Sequence, residues 1–312
     1  MLLPFSALSS LALFVASDQM VPRFVELVKG LAYGVPPRAC RPFVVGGQSL
    51  GMMLQNSANE LRRFPNTFRV TDDEVRLIAG GDSVEMRSEA VMRTLEALRD
   101  DGRIDMLRGW RSETWPMKRS FYAPPEVLVE RAAIPMFGVP AFGCFVNGLV
   151  GASHIWVGRR SRTKATYAGK LDLIAAGGLS HGELPSENVL KECEEEASIP
   201  RQLAQQARSA GLVSYTALDE TGWGIKRDTL FVYDLHLPPP DQFRPAPGDD
   251  EVESFELLSI KEVMRSIADT PDEWKPNVAL VLIDLCVRLG HISPDREGYL
   301  ELVHSLRTFC GR

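Results

Sequence analysis

Three glutamates in the segment 177–199 (GGLSHGELPSENVLKECEEEASI), Glu192, Glu195 and Glu196, stand at i, i+3 and i+4. A helix brings residues so spaced onto one face, where like charges repel at a cost of roughly a few tenths of a kcal/mol per pair. A divalent cation turns that repulsion into ligation. Carboxylate oxygens suit Mg²⁺ or Mn²⁺, ions that keep several waters and take phosphate oxygens as further ligands. A Glu cluster taken alone reads as a solvated helix face. Here its surroundings change the reading.

The helix, expected over residues 186–197, needs a face to dock it. Val189, Cys193 and Ala197 supply an apolar stripe at i, i+4 and i+8, opposite the acids. Gly177, Gly178 and Gly182 bracket the preceding turn, where glycine lets backbone N–H groups approach an anion. Glu183 sits in that turn, placed to hold the helix start or to add a ligand. Upstream, two strand-like runs (FVNGLV, HIWVG) lead into a basic loop, RRSRTKATYAGK, and then a strand-like LDLIAAGG. Arg159, Arg160, Arg162, Lys164 and Lys170 of this region are candidates to clamp phosphate, arginine bidentately and lysine as a point charge. Downstream, strands are expected over 211–217, 228–237 and 252–260. Asn277 is the expected N-cap of a buried helix over 278–289, and a last helix falls near 299–306.

The first part of the chain has a different texture. A helix over 21–33 ends at Pro36-Pro37, and a strand pair within 42–54 turns at Gly46-Gly47. Helices are expected over 57–63 and 88–99, the latter closed by Asp101-Gly102, with a short strand within 68–77. Residues 110–140 are rich in proline and aromatics and show no clean period. Three parts follow: a leader over 1–20, disordered or targeting, an α+β domain over 21–140, and a second domain over 141–312.

The acidic segment resembles the Nudix box: Gly, five residues, Glu, seven residues, then Arg-Glu-U-x-Glu-Glu-x-Gly-U, where U is a bulky aliphatic. Gly177, Glu183, Glu192, Glu195 and Glu196 take the glycine and glutamate positions, and Cys193 and Ile199 the apolar ones. Two positions depart. Lys191 replaces the arginine, keeping the charge and losing the planar fork. Ser198 replaces the last glycine, which predicts a weaker helix stop. The stretches WVGRRSRTKATYAGKLD, KECEEEASIP, VSYT and EWKPN are similar to a fungal and plant Nudix subgroup with an extra N-terminal domain, associated with hydrolysis of damaged or antimetabolite thiamine diphosphate analogues. The resemblance implies an α/β/α Nudix sandwich with a mixed sheet, preceded by a small α+β domain. It implies that Glu192, Glu195 and Glu196 bind Mg²⁺ or Mn²⁺ and that a later loop glutamate, Glu251 or Glu253, joins the catalysis. Arg159, Arg160, Lys164 and Lys170 are the expected substrate contacts, and Trp223, Trp274 and Lys275 are candidates to line a ring pocket. The expected substrate is a small-molecule diphosphate, first a thiamine diphosphate analogue. The alternatives are ADP-ribose, a nucleotide sugar or a coenzyme, and a non-catalytic ligand-binding module.

The whole chain narrows the classes. A net charge of −6 argues against a nucleic-acid polymer as partner, since neutralising many phosphates needs a basic excess. Five scattered cysteines without CxxC spacing read as reduced thiols, not as a disulfide framework or zinc site. The apolar run over residues 2–15 has no preceding Lys or Arg and is too short to span a bilayer, so no membrane partner is expected. Cytoplasmic residence is the expectation, mitochondrial the alternative. The histidines have no paired metal spacing; His181 beside the glycine turn reads as a bystander. Neither a P-loop nor GxGxxG is present.

Overall fold

In the computed structural model of the chain, residues 16, 19–32, 40–164 and 166–308 are described. Nearly all of the expected leader, the stop at Pro36-Pro37 and Cys310 lie outside the described residues. Helix α1 (Met20–Ala32) comes first, in close agreement with its apolar period. The antiparallel pair β1 (Cys40–Val45) and β2 (Gln48–Leu54) turns at Gly46-Gly47. Helix α2 (Gln55–Leu61) follows, then β3 (Phe68–Val70), β4 (Val75–Leu77) and α3 (Val84–Asp101). The four strands form a mixed sheet in the order β2-β1-β4-β3. Helix α3 is longer than its apolar period suggested because Ser83 caps it, accepting from the Met86 amide, and Gly102 ends it. Its Val91, Leu95 and Leu98 are buried in one core with Phe43, Phe68 and Phe137.

Residues 110–140, without a readable period, fold as a hairpin of β5 (Thr114–Lys118) and β6 (Pro125–Glu130), followed by a one-turn helix α4 (Ile134–Phe137). The hairpin was illegible because Pro116 and Pro125 break the alternation, yet Trp115, Met117, Val127 and Val129 point into the first core. The joint to the next unit is tight: Arg227 donates to the Gly138 carbonyl at 3.0 Å, and Asn56 to the Gly222 carbonyl at 2.9 Å.

The second unit is built on a mixed sheet of β7 (Pro140–Val150), β8 (His154–Arg160), β9 (Leu171–Asp172), β10 (Ala175–Gly178), β11 (Arg208–Leu218), β12 (Ile225–His236) and β13 (Val252–Ser259). Its main order is β11-β12-β7-β8-β13, with β10 on β7 and β9 on β8. Only β12 and β7 run parallel among these pairs. Period-two alternation sends successive residues to opposite faces. Along β7, Phe145 and Leu149 enter one core while Cys144 and Val146 enter another. Helix α5 (Pro185–Ala197) covers the second face with Val189, Cys193 and Ala197, each at most 2% exposed. The short α6 (Arg201–Ala204) follows it. Helices α7 (Ile260–Asp269), α8 (Pro276–Arg288) and α9 (Tyr299–Ser305) cover the first face. The result is the expected α/β/α sandwich with a preceding α+β unit.

Three expectations change. LDLIAAGG is two short strands, because Leu173 and Ile174 turn inward as core residues between them. Asn277 is not an N-cap: Lys275 caps α8 and Pro276 takes the first helical position, where its missing N–H costs nothing. Helix α1, grouped by sequence with residues up to 140, buries Val21, Phe24 and Val28 in the core of the second unit. Burial pushes the Cys144, Cys193 and Cys286 thiols up to about 12, so they pack as small hydrophobes. Among the described residues no helix is long and apolar enough to cross a membrane.

Helix α5 does stop at Ser198, which adopts a left-handed φ of 51° while its amide donates to the Glu194 carbonyl at 3.1 Å. That conformation costs a non-glycine residue roughly 1–2 kcal/mol. Ser198→Gly is therefore expected to raise stability by about 0.5–1 kcal/mol once glycine's extra chain entropy is subtracted. A urea titration should show a higher midpoint at unchanged slope.

Candidate active site

Helix α5 presents Lys191, Glu192 and Glu195 to a cleft of about 400 Å³. Gly177 and Gly178 of β10 form its floor, and Asp249 and Glu251 approach from the loop before β13. Gly177 leaves room for the Glu192 side chain, which any larger residue there would push aside. A Cβ there would lie 2.1 Å from Cδ of Glu192, so the carboxylate rests on bare backbone. The acidic loop is tied to the far end of α5. The amides of Ala246 and Gly248 donate to the Ala197 and Glu196 carbonyls at 3.2 and 3.3 Å. These bonds satisfy end carbonyls that a helix leaves unpaired, and they bring Glu251 to the acidic face from a distance of many residues in sequence.

The carboxylates differ in state. Burial pushes the Glu192 carboxyl above its ordinary value; Lys191 opposes this, and Glu195, Glu183 and Glu251 add to it. Glu195 is the open one, with its side chain 54% exposed. Glu196 turns inward, where its Oε2 accepts from the Ala176 amide at 2.9 Å. Burial first, then the nearby charge of Asp172, pushes its carboxyl well above the ordinary value. Burial also pushes Glu251 up, but Lys164, 2.5 Å from its Oε1, holds it below the usual carboxylate range with help from Arg160 and Arg111. Glu183 holds the turn: its Oε2 accepts from the Ser180 amide and hydroxyl at 3.3 and 3.1 Å.

Among the described residues no group of three or more His, Cys, Asp or Glu already encloses a metal point. The donor chemistry nevertheless fits a hard divalent ion. Oxygen ligands predominate, and Glu192 is a carboxylate that burial drives toward neutrality unless a cation stands beside it. The Lys191 ammonium, 3.6 Å from Glu192, 3.9 Å from Glu183 and 4.0 Å from Glu195, supplies part of that charge.

Of the expected substrate contacts, the fold brings Arg160 and Lys164 into the cleft and leaves Arg159 and Lys170 out. Arg159 donates to the Gly169 carbonyl and Lys170 to the Asp272 carbonyl, so both brace the loop from outside. Arg160 is paired with Asp172 at 2.8 Å, and its guanidinium also donates to the Thr166 and Tyr167 carbonyls, folding the loop back over the floor. Glu253 faces away, its Oε1 accepting from the Arg162 amide. Trp274 is fully buried core and Trp223 packs on the first core, so neither lines the cleft. Lys275 does, 3.0 Å from Asp172. The missed residues are Arg111, Glu113 and Arg131, which the first unit holds across the top of the cleft. The one signal for Arg111 and Glu113 was the crowding of Arg, Glu and Trp in WRSETW; Arg131 had none.

Burial alone would raise the Asp172 carboxyl, but Lys275 and Arg160 hold it below the usual range. A depressed carboxylate stabilises the fold above its unfolded value and loses that contribution as pH falls through its folded value. Lys275→Met is expected to cost about 2 kcal/mol near pH 7. The deficit should shrink toward acid pH in paired denaturation curves.

Comparison with known proteins places these features. Residues 139–278 match the NUDIX domain, and residues 23–141 match a domain of unknown function, DUF4743. The chain is 40% identical over 279 residues to Nudix hydrolase 20, chloroplastic, of Arabidopsis thaliana, across 86% of this chain and 72% of that protein. It is 40% identical over 272 residues to Nudix hydrolase 24, chloroplastic, of the same plant, with the same coverage. A solved MutT protein from Methanosarcina mazei superposes with a TM-score of 0.36 at 18% identity, over 47% of this chain and 94% of its own. Relatives this similar over most of their length make the chain a member of the Nudix hydrolase family, and so an enzyme of that type.

Proposed function

We propose that this enzyme uses Mg²⁺ or Mn²⁺ to hydrolyse the diphosphate of a thiamine diphosphate analogue, releasing the monophosphate. The coarser part, metal-dependent cleavage of a diphosphate linkage, is the reaction of the family. The observation that carries the assignment to this cleft is that one cavity brings together the carboxylates Glu192, Glu195 and Glu251 and the cations Arg160, Lys164, Arg111 and Arg131. The finer substrate rests on the similarity of WVGRRSRTKATYAGKLD and EWKPN to the thiamine-related subgroup.

In this reading Glu192 and Glu195 would hold the ion, and Glu196 would join them only by giving up its bond to the Ala176 amide. The bound cation supplies positive charge to the phosphate oxygens and lowers the pKa of a water. Arg160 and Lys164 bind phosphate oxygens from below, Arg111 and Arg131 from above. A phosphate that draws Lys164 away from Glu251 removes the partner that depresses that carboxylate, so Glu251 becomes a better proton acceptor once substrate is in place. The division between units is placed near residue 140, with α1 belonging to the catalytic one and the first unit acting as a roof. Four free cysteines among the described residues fit a reducing compartment such as the cytoplasm.

ADP-ribose or a nucleotide sugar is the second reading. It is favoured by a larger hollow of about 620 Å³ that shares Arg111, Arg131 and Tyr167 with the cleft. A substrate panel with Mg²⁺ separates the two: cleavage of ADP-ribose with thiamine diphosphate analogues untouched would sink the first. Glu195→Gln is expected to lower kcat by about 10²–10⁴-fold. Gly177→Ala should cut kcat at least about tenfold with the circular dichroism spectrum retained, since displacing a catalytic group by 1 Å costs that much or more. Arg111→Ala tests the roof: KM should rise several-fold with kcat little changed, because a phosphate contact made equally in ground and transition states acts on binding.

A further inference from the structure

Beside the diphosphate cleft lies a smaller recess of about 170 Å³ that opens into it past Gly177, Gly178 and Lys275. Its walls are aromatic: Trp115 from the hairpin of the first unit and Phe145 from β7. Trp115 is fixed, its indole N–H donating to Glu113 at 3.0 Å and the Arg131 guanidinium lying 4.7 Å from its ring centre. The floor is polar and carries acceptors that have no donor. The Tyr215 hydroxyl donates to Oδ2 of Asp228 at 2.5 Å and accepts from Nδ2 of Asn277 at 3.4 Å. Those two bonds use the Tyr215 hydroxyl proton and one of the two Asn277 amide protons. Oδ1 of Asn277 is left as a buried acceptor with no partner, and Oδ1 of Asp228 makes no hydrogen bond to the described residues. At the mouth Lys275 pairs with Asp172 and Arg131 with Glu113, each keeping further N–H groups for the phosphates.

A buried acceptor without a donor costs about 1–3 kcal/mol, which a ligand N–H recovers. Aromatic walls favour a flat ring, and the volume suits one ring and not a nucleoside. We propose that this recess seats a terminal heteroaromatic ring of the diphosphate substrate, which presents an amino group or ring N–H to Asp228 and Asn277. The proposal deepens the assignment of the neighbouring cleft to a diphosphate and rests on it. It makes Asp228, Asn277 and Trp115 specificity residues, and it divides the substrate between the two units of the chain. Burial pushes the Asp228 carboxyl above its ordinary value while the Tyr215 hydrogen bond and the charge of Lys226 oppose this, as expected of a carboxylate short of donors.

The test compares thiamine diphosphate with its desamino analogue, which lacks the ring amino group, as substrates for the full chain with Mg²⁺. Wild type is expected to favour the amino compound in kcat/KM by about tenfold or more, the equivalent of one buried hydrogen bond. That ratio should fall to about 1 in Asn277→Leu and in Asp228→Ala, the second variant guarding against a folding defect in the first. A merely structural role for these residues lowers both substrates together and leaves the ratio standing, which would overturn the proposal. If wild type cleaves neither compound, calorimetry with unphosphorylated thiamine decides. Binding that Asn277→Leu abolishes keeps the recess and rejects the cleft's assignment; no binding to wild type rejects the recess.

Discussion

One contact organises this molecule: the carboxylate of Glu192 pressed against the bare Cα of Gly177. Moving a charge so close to backbone and away from water is unfavourable unless something opposite is brought to it. Lys191 does this in part, and the oxygen-rich cleft leaves room for a divalent ion to do the rest. Everything that fixes α5 serves this contact. The stripe of Val189, Cys193 and Ala197 sets the rotation of the helix, and the left-handed turn at Ser198 sets its length. The bonds from Ala246 and Gly248 then use the helix end to aim the loop that carries Glu251. Packing and the cleft meet in one element, because the face that packs dictates where the opposite face points.

Charge is layered around that helix. Outermost is the exposed Glu195, then Glu192 at the floor, then Glu196 and Asp172 in the interior. Each inner carboxylate has a specific answer: Arg160 and Lys275 for Asp172, the Ala176 amide for Glu196. Removing one partner of such a set leaves the other uncompensated, so these residues tie the cleft floor to the stability of the fold.

Much of this was legible in sequence wherever one local period governs. The helix over 186–197, the strand pair at Gly46-Gly47 and the strands flanking the basic loop are local decisions, made by spacing and turn chemistry. The acidic face of α5 was legible for the same reason. What local spacing does not encode is which side chains of a loop face inward. Arg159 and Arg160 are adjacent and chemically alike, yet only Arg160 finds buried Asp172, a partner twelve residues on. Tertiary pairing of that kind also decided Lys170, Trp274 and Asn277. The roof was hidden for another reason. Arg111, Glu113 and Arg131 flank a hairpin whose prolines erase its alternation, and their relation to Glu192 exists only after two units dock.

The path of the chain between those units has a mechanical meaning. It leaves the second unit after α1, builds the first, and returns through α4 into the central strand β7. A body fastened at both its entry and its exit, and stitched at Gly138 by Arg227, resists swinging as one hung on a single linker does not. Arg111 and Trp115 are thus held over the glycine floor of the cleft before any ligand arrives. Little ordering remains to be done at the moment of binding, so more of the contact energy is left for affinity and selectivity.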